Sequence, residues 1–192
     1  SHPVSSLAVH AADLIEFART RGPGAALVRV ADLDGPDSST CALLVASDDM
    51  PFLVDSVTNA LAAEERAISL VVHPQLVVRR DAEGRLEEIL EIDVDDERPA
   101  GTLAESWMWI EMERDYGDDA VGRLERQIAA VLHDVRVAVR DWRAMRSRAL
   151  IIAEETSAMP PVGLPQEEVD EGVDLLRWLA DDNLTFLGYR EY

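Results

Sequence analysis

Asp48, Asp49, Asp55, Ser56 and Asn59 crowd the point where an apolar run gives way to a helical pattern. A helix N-terminus offers free N–H groups to a carboxylate, and an aspartate accepts the ammonium of a zwitterion. That pairing is the chemistry of a small amino-acid site. Its candidate polar groups are Asp49, Asp55, Ser56 and Asn59. Asp55 and Asn59 are four residues apart and share a helix face. The competing reading is plain capping, with acids placed near a positive helix dipole. His73, ahead of Pro74 in an apolar stretch, adds a donor if its strand neighbours this helix. The alternative for His73 is a hydrogen-bonded sheet histidine. Trp107 and Trp109 alternate with Glu105, Glu111 and Glu113 on one strand face. They either cover a neighbouring helix or form an interface with another domain or copy.

Other chemistries are excluded by composition. All 18 basic residues are arginine, so Schiff-base chemistry, a P-loop and a lysine general base are absent. The single cysteine, Cys41, allows no internal disulfide and no multi-cysteine metal site. His2, His10, His73 and His133 contain no pair at helical metal spacing. Asp32 to Asp37 fails as a calcium loop, because Pro36 stands at the fifth position and Leu43 at the twelfth. No catalytic, cofactor-binding or metal residue is expected. The net charge of −20 repels nucleic acid and anionic membranes. No apolar run approaches the ~20 residues of a membrane span, and no leader pattern opens the chain. A reducing, cytoplasmic setting is expected.

The elements that position these residues follow from periodicity. Leu7, Ala11, Leu14, Ile15 and Ala18 predict a helix over 6–21, stopped by Gly22-Pro23-Gly24. Strands are predicted at 26–33 and 41–47, joined by a turn at 34–39. Asp48 then caps a helix that runs to about Arg66. A strand over 68–80 contains Pro74, which marks an edge or a bulge. A hairpin turn at 81–85, a strand at 86–94 and a strand at 105–115 follow. The longest helix is predicted at 118–145, with an extension through Ile152, before the linker Met159 to Pro165. A helix at 166–180 and the start of a strand at 184–192 complete the chain.

This order predicts an α+β fold: a ferredoxin-like, ACT-type sandwich whose mixed or antiparallel sheet carries helices on one face, plus a long helix. The domain reading is an N-terminal helix at 1–24, an ACT-like domain at 25–147, a helix end and Pro-rich linker at 148–165, and the start of a further domain at 166–192.

Four segments carry a family resemblance. They are Asp48-Asp49-Met50-Pro51-Phe52-Leu53-Val54-Asp55-Ser56-Val57, the stretch from Leu70 through His73-Pro74 to Asp81, Glu105-Ser106-Trp107-Met108-Trp109-Ile110-Glu111, and Leu175 to Tyr192. Together they resemble the N-terminal region of the large bacterial NAD-specific glutamate dehydrogenases. The resemblance implies an ACT-like module here, with nucleotide and substrate domains far downstream. It implies that NAD binds the full-length enzyme and not this stretch. It also implies the remainder of the same polypeptide as partner, a homo-oligomer and an amino-acid effector. The family's catalytic residues match no position in this chain. One departure concerns the loop Asp48-Asp49-Met50-Pro51, which lacks the Gly common before the first ACT helix. That argues against a close backbone approach to a ligand.

Three functions compete at this level. One is a non-catalytic regulatory and assembly module of such an enzyme, favoured by the unfinished strand at 184–192. A second is a stand-alone amino-acid sensor. A third is a small hydrolase with paired carboxylates, a weak signal among 38 acids.

Overall fold

The computed structural model describes residues 4–33, 39–115, 117 and 119–190. In chain order the elements are α1 (Val4–Phe17), β1 (Leu27–Asp32), β2 (Thr40–Asp48), α2 (Leu53–Ala63), β3 (Ile68–Val72), β4 (Gln75–Arg80), β5 (Leu86–Leu90), β6 (Thr102–Glu113), α3 (Ala120–Ala158) and α4 (Gln166–Trp178). A short π-helical turn, Leu179–Asn183, follows α4. The chain divides into two units, Ser1–Val135 and Arg136–Tyr192.

The first unit is built on an antiparallel sheet in the order β1-β2-β6-β4-β5, with β3 also paired to β6. β2 leads through α2 to β3 and β4, and β6 inserts between β2 and β4. This is the split β-α-β of a ferredoxin-like sheet. The outer strand beside β2 is β1, which precedes it in sequence. β2 and β6 are central because both of their faces are apolar. Seven consecutive residues of β2 are buried, as are eight of β6.

Two apolar faces need two covers. Ala42, Leu44, Ala46, Val78, Trp107 and Trp109 pack with Leu14 of α1 and with Ala18 just after it. On the other face Cys41, Leu43, Val45, Met108, Ile110 and Met112 are buried, as are Leu53, Val57 and Leu61 of α2 and Leu124, Ile128 and Leu132 of α3. Helices therefore lie on both faces, not on one as the sequence suggests. The α1 tail is pinned to the β4–β5 turn through Arg21 N–H to Gly84 O and Leu86 N–H to Arg19 O.

Several elements differ from expectation. The strand expected over 68–80 is two pieces laid end to end along β6. Pro74 has no N–H for the ladder, although its carbonyl still accepts the Trp107 N–H at 3.1 Å. α2 starts at Leu53, not at Asp48, because Asp48 completes β2. α3 runs on to Ala158, at about 1.5 Å per residue on the order of 60 Å. It stops just ahead of Met159-Pro160, where the proline disfavours helix in the residue before it. Residues 184–190 form no strand, since no described strand lies beside them to complete a ladder. The turn expected at 34–39 lies outside the described residues except for Ser39.

In the second unit, the end of α3 and α4 form a helical hairpin around Ala153, Val169 and Val173. No helix of the described residues is long and apolar enough to cross a membrane.

Candidate functional site

The register of three strands assembles two polar clusters at one end of the sheet. Asp48 stands opposite Glu105 and Ser47 opposite Ser106 across β2 and β6. Gln75 stands opposite Ser106 on the β4 side. Glu105 and Ser106 are consecutive, so their side chains leave the sheet on opposite faces. One cluster forms under α1, and the other forms at the junction of β2 and α2.

The junction cluster contains two of the candidates, Asp49 and His73. Ser106 donates to Asp49 Oδ1 at 2.5 Å, and Gln75 Nε2 donates to the same oxygen at 3.0 Å. His73 Nε2 lies 3.1 Å from the Ser106 oxygen. With the serine proton committed to Asp49, His73 donates from Nε2 as the neutral tautomer. Burial holds the His73 pKa below its ordinary value, against the opposing pull of Asp49.

These are the residue types of a hydrolytic triad in a different order. The carboxylate meets the serine rather than the histidine, and Ser106 is fully buried. The cluster fixes the loop and presents one carboxylate, but it holds no activated nucleophile. The paired-carboxylate hydrolase finds no support either, because Glu105 is locked between arginines as described below.

Asp55 and Asn59 lie elsewhere. Leu53, Val57 and Leu61 define the buried face of α2, and Asp55 and Asn59 project from the exposed opposite side. Ser56 is half-buried, and its N–H bonds to Phe52 O. No side chain caps α2. Phe52 occupies the N-cap position with φ 69°, the left-handed region. The expected aspartate cap is thus replaced by a strained phenylalanine, because both aspartates are engaged by side chains elsewhere.

The cluster under α1 is one the sequence reading missed. Arg21 Nη2 donates to Glu105 Oε1 and to Asp48 Oδ1, each at 2.7 Å. Arg80 grips the same carboxylate with Nε at 2.6 Å and Nη2 at 2.8 Å. Trp107 Nε1 donates to Glu105 Oε2 at 2.8 Å. Burial alone would raise the Glu105 pKa. The hydrogen bonds from Arg80, Arg21 and Trp107 outweigh it and hold the carboxyl below the usual range. The available signal was a charged residue inside an apolar strand, Glu105 beside Trp107 and Arg80 after Val77-Val78.

Trp107 and Trp109, candidates for an interface, are each 2% exposed beneath α1. The element they meet is therefore a helix of the same unit. His10 of α1 stacks on Trp109 with ring centroids 4.3 Å apart, and Trp109 Nε1 donates to Glu111 at 3.2 Å. Among the described residues, no group of three or more His, Cys, Asp or Glu could hold a metal ion.

Residues 1–128 match the family model described as glutamate dehydrogenase, ACT1 domain. The chain belongs to this ACT1 family. It is 34% identical over 180 residues to an NAD-specific glutamate dehydrogenase of Halomonas elongata, covering 92% of this chain and 11% of that protein. It is 35% identical over 163 residues to the Pseudomonas aeruginosa protein of the same name, covering 82% of this chain and 10% of that one. The Mycobacterium tuberculosis protein of that name is 28% identical over 172 residues, 90% of this chain and 10% of its own length. The chain thus spans about a tenth of the length of the curated relatives it matches. The ACT1 match begins at residue 1, so α1 and β1 belong to the matched region along with the strands. The ACT1 junction lacks the loop glycine but still turns through a positive φ, at Phe52.

Proposed function

We propose that this chain is a non-catalytic regulatory and assembly module of a large NAD-dependent glutamate dehydrogenase. The full polypeptide would convert L-glutamate, water and NAD to 2-oxoglutarate, ammonium and NADH in the cytoplasm, as a homo-oligomer. The observation that carries this reading is the ACT1 match over residues 1–128. The relatives named for that reaction support it, each about ten times as long as the matched stretch. The absence of lysine and of a phosphate-binding glycine motif supports placing the chemistry, and NAD, elsewhere in the parent.

The effector of the module is an amino acid, received where Asp49 and His73 meet at the β2–α2 junction. Asp49 would take the ammonium, and the uncapped N–H groups of α2 would take the carboxylate. Asp55 and Asn59 face solvent and contribute only at the rim.

The test has two arms. The purified 192-residue chain should produce no NADH from glutamate, and production there overturns the non-catalytic assignment. In the full-length enzyme, the twenty amino acids are screened as activators or inhibitors, with and without Asp49→Asn. An effector response that weakens in the variant supports regulation through this junction. An unchanged response places regulation outside this domain.

A further inference from the structure

Between Ala8 and Asp13 every side chain of α1 except His10 is exposed, and Leu14 is the next one buried. This part of the helix therefore meets the sheet through one imidazole. The ring lies on the Trp109 indole, with centroids 4.3 Å apart and planes inclined by 11°. Its Nδ1 is buried and makes no hydrogen bond, yet it stands 3.5 Å from Glu111 Oε1. The two side chains are 13% and 10% exposed. Both neighbours favour an imidazolium. An indole face attracts a cation, and so does a carboxylate at this distance with little water between. Two further carboxylates, Asp13 on the next turn of α1 and Glu113 beyond Glu111 on the same face of β6, are exposed and carry the same sign. Arg29 of β1 sits over Phe17, about 10 Å further along the helix. Arg21, Arg80, Glu105 and Asp48 bond to one another beyond the helix end.

We propose that His10 is a pH-responsive clasp that ties the start of α1 to the sheet. Protonated, the ring is held by the Trp109 face and the Glu111 carboxylate. Neutral, it is held by stacking alone. The proton comes from solvent, and the cation carries a donor at both Nδ1 and Nε2. The docked helix favours the charged form, so the clasp is closed below the histidine range and loosens as the pH rises through it. The other end of α1 does not follow. Arg21 stays charged throughout this range, and its backbone N–H remains bonded to Gly84 O. The helix is thus a strap with one fixed attachment and one titratable attachment. It opens from its N-terminus and uncovers the Trp109 indole.

Amide hydrogen exchange of the 192-residue chain tests this at about pH 5.5 and about pH 8, with the intrinsic pH dependence of exchange divided out. His10→Phe is the reference, since it keeps a flat ring on the indole and carries no charge. Any change that acts through His73 is present in both proteins and cancels between them. The gain in protection of residues 4–17 from the higher to the lower pH should be about two- to fivefold larger in the parent than in the variant. An equal gain in the two proteins overturns the clasp, and so does a parent that is better protected at the higher pH. His10→Gln, smaller and also uncharged, repeats the comparison and should match His10→Phe. A parent-like gain in His10→Gln overturns the clasp as well. Residues 19–21 should exchange alike at both pH values in the parent. Loss of protection there together with residues 4–17 would mean that the whole helix leaves, which overturns the fixed attachment.

Discussion

Arg21 and Glu105, 84 residues apart in sequence, meet at 2.7 Å with neither side chain exposed to water. Arg80, 3% exposed, completes the grip on the same carboxylate, and Asp48 accepts a second bond from Arg21. The four charges sum to zero, which is what permits them under α1. The network ties three places together: the end of α1, the end of β4 and the start of the buried run of β6.

Glu105→Gln should destabilise the domain by about 3 kcal/mol, because it leaves the buried Arg80 guanidinium without its carboxylate and Arg21 with Asp48 alone. Urea unfolding of the variant and the parent checks this. The pH dependence follows from the depressed Glu105 pKa. The folded state holds the carboxyl below the usual value of 4.5, so its contribution is fully present above that value. It is lost as the pH falls through the folded-state pKa. The variant should show a shallower loss of stability in acid than the parent.

Gly84→Ala should be costly where Gly22→Ala is not. Gly84 has φ +81°, and a Cβ there would stand 2.4 Å from the Arg21 carbonyl oxygen. That carbonyl belongs to the segment pinned against the β4–β5 turn and has no room to retreat. A loss of more than about 1 kcal/mol is expected at Gly84. Gly22 has open space around it, and its replacement should be neutral or slightly stabilising. Thermal melts of the two variants make the comparison, and equal melting temperatures would contradict it.

Trp107→Ala and Trp109→Ala should each cost about 3–5 kcal/mol, the range for emptying a large buried aromatic site. Both indoles are covered by α1, so sedimentation should remain that of the parent. A change in association state without a change in stability would show that the indoles serve a contact between copies.

Stability should also fall as the pH drops below the ordinary histidine value of 6.5. Burial keeps His73 neutral in the folded state, with its pKa below the unfolded value. Its contribution is therefore fully present above 6.5 and is lost as the pH falls through the folded-state pKa. His73→Asn retains a donor toward Ser106 and cannot be protonated in this range. Urea midpoints above and below the histidine pKa should lie closer together in that variant than in the parent.

The elements themselves were largely legible in the residues. The alternation of Trp107, Trp109 and Glu111 against Met108, Ile110 and Met112 defined the two faces of β6; both are buried, and the cluster that holds Trp107 and Trp109 lies on the α1 side. The 3–4 spacing of Leu124, Ile128 and Leu132 marked the buried stripe of α3. Local propensity settles such features, because a strand has period two and a helix 3.6 wherever it lies. The α2 start was not legible. Asp48 and Asp49 have the composition of caps, yet both are claimed by distant partners, Arg21 for one and Ser106 with Gln75 for the other.

The sequence by itself determined the absence of lysine chemistry, the acidic surface, the α+β order and the family resemblance on the Asp48, His73-Pro74 and Trp107–Trp109 segments. Only the tertiary structure decided which candidates meet. It joined Asp49 to His73 through Ser106, sent Asp55 and Asn59 to the outer face of α2, and placed Trp107 and Trp109 beneath α1. The physical reason is strand register. A buried carboxylate such as Glu105 is tolerable only where pairing brings Arg21 and Arg80 to it, and pairing across 84 residues is a property of the folded sheet rather than of any local run.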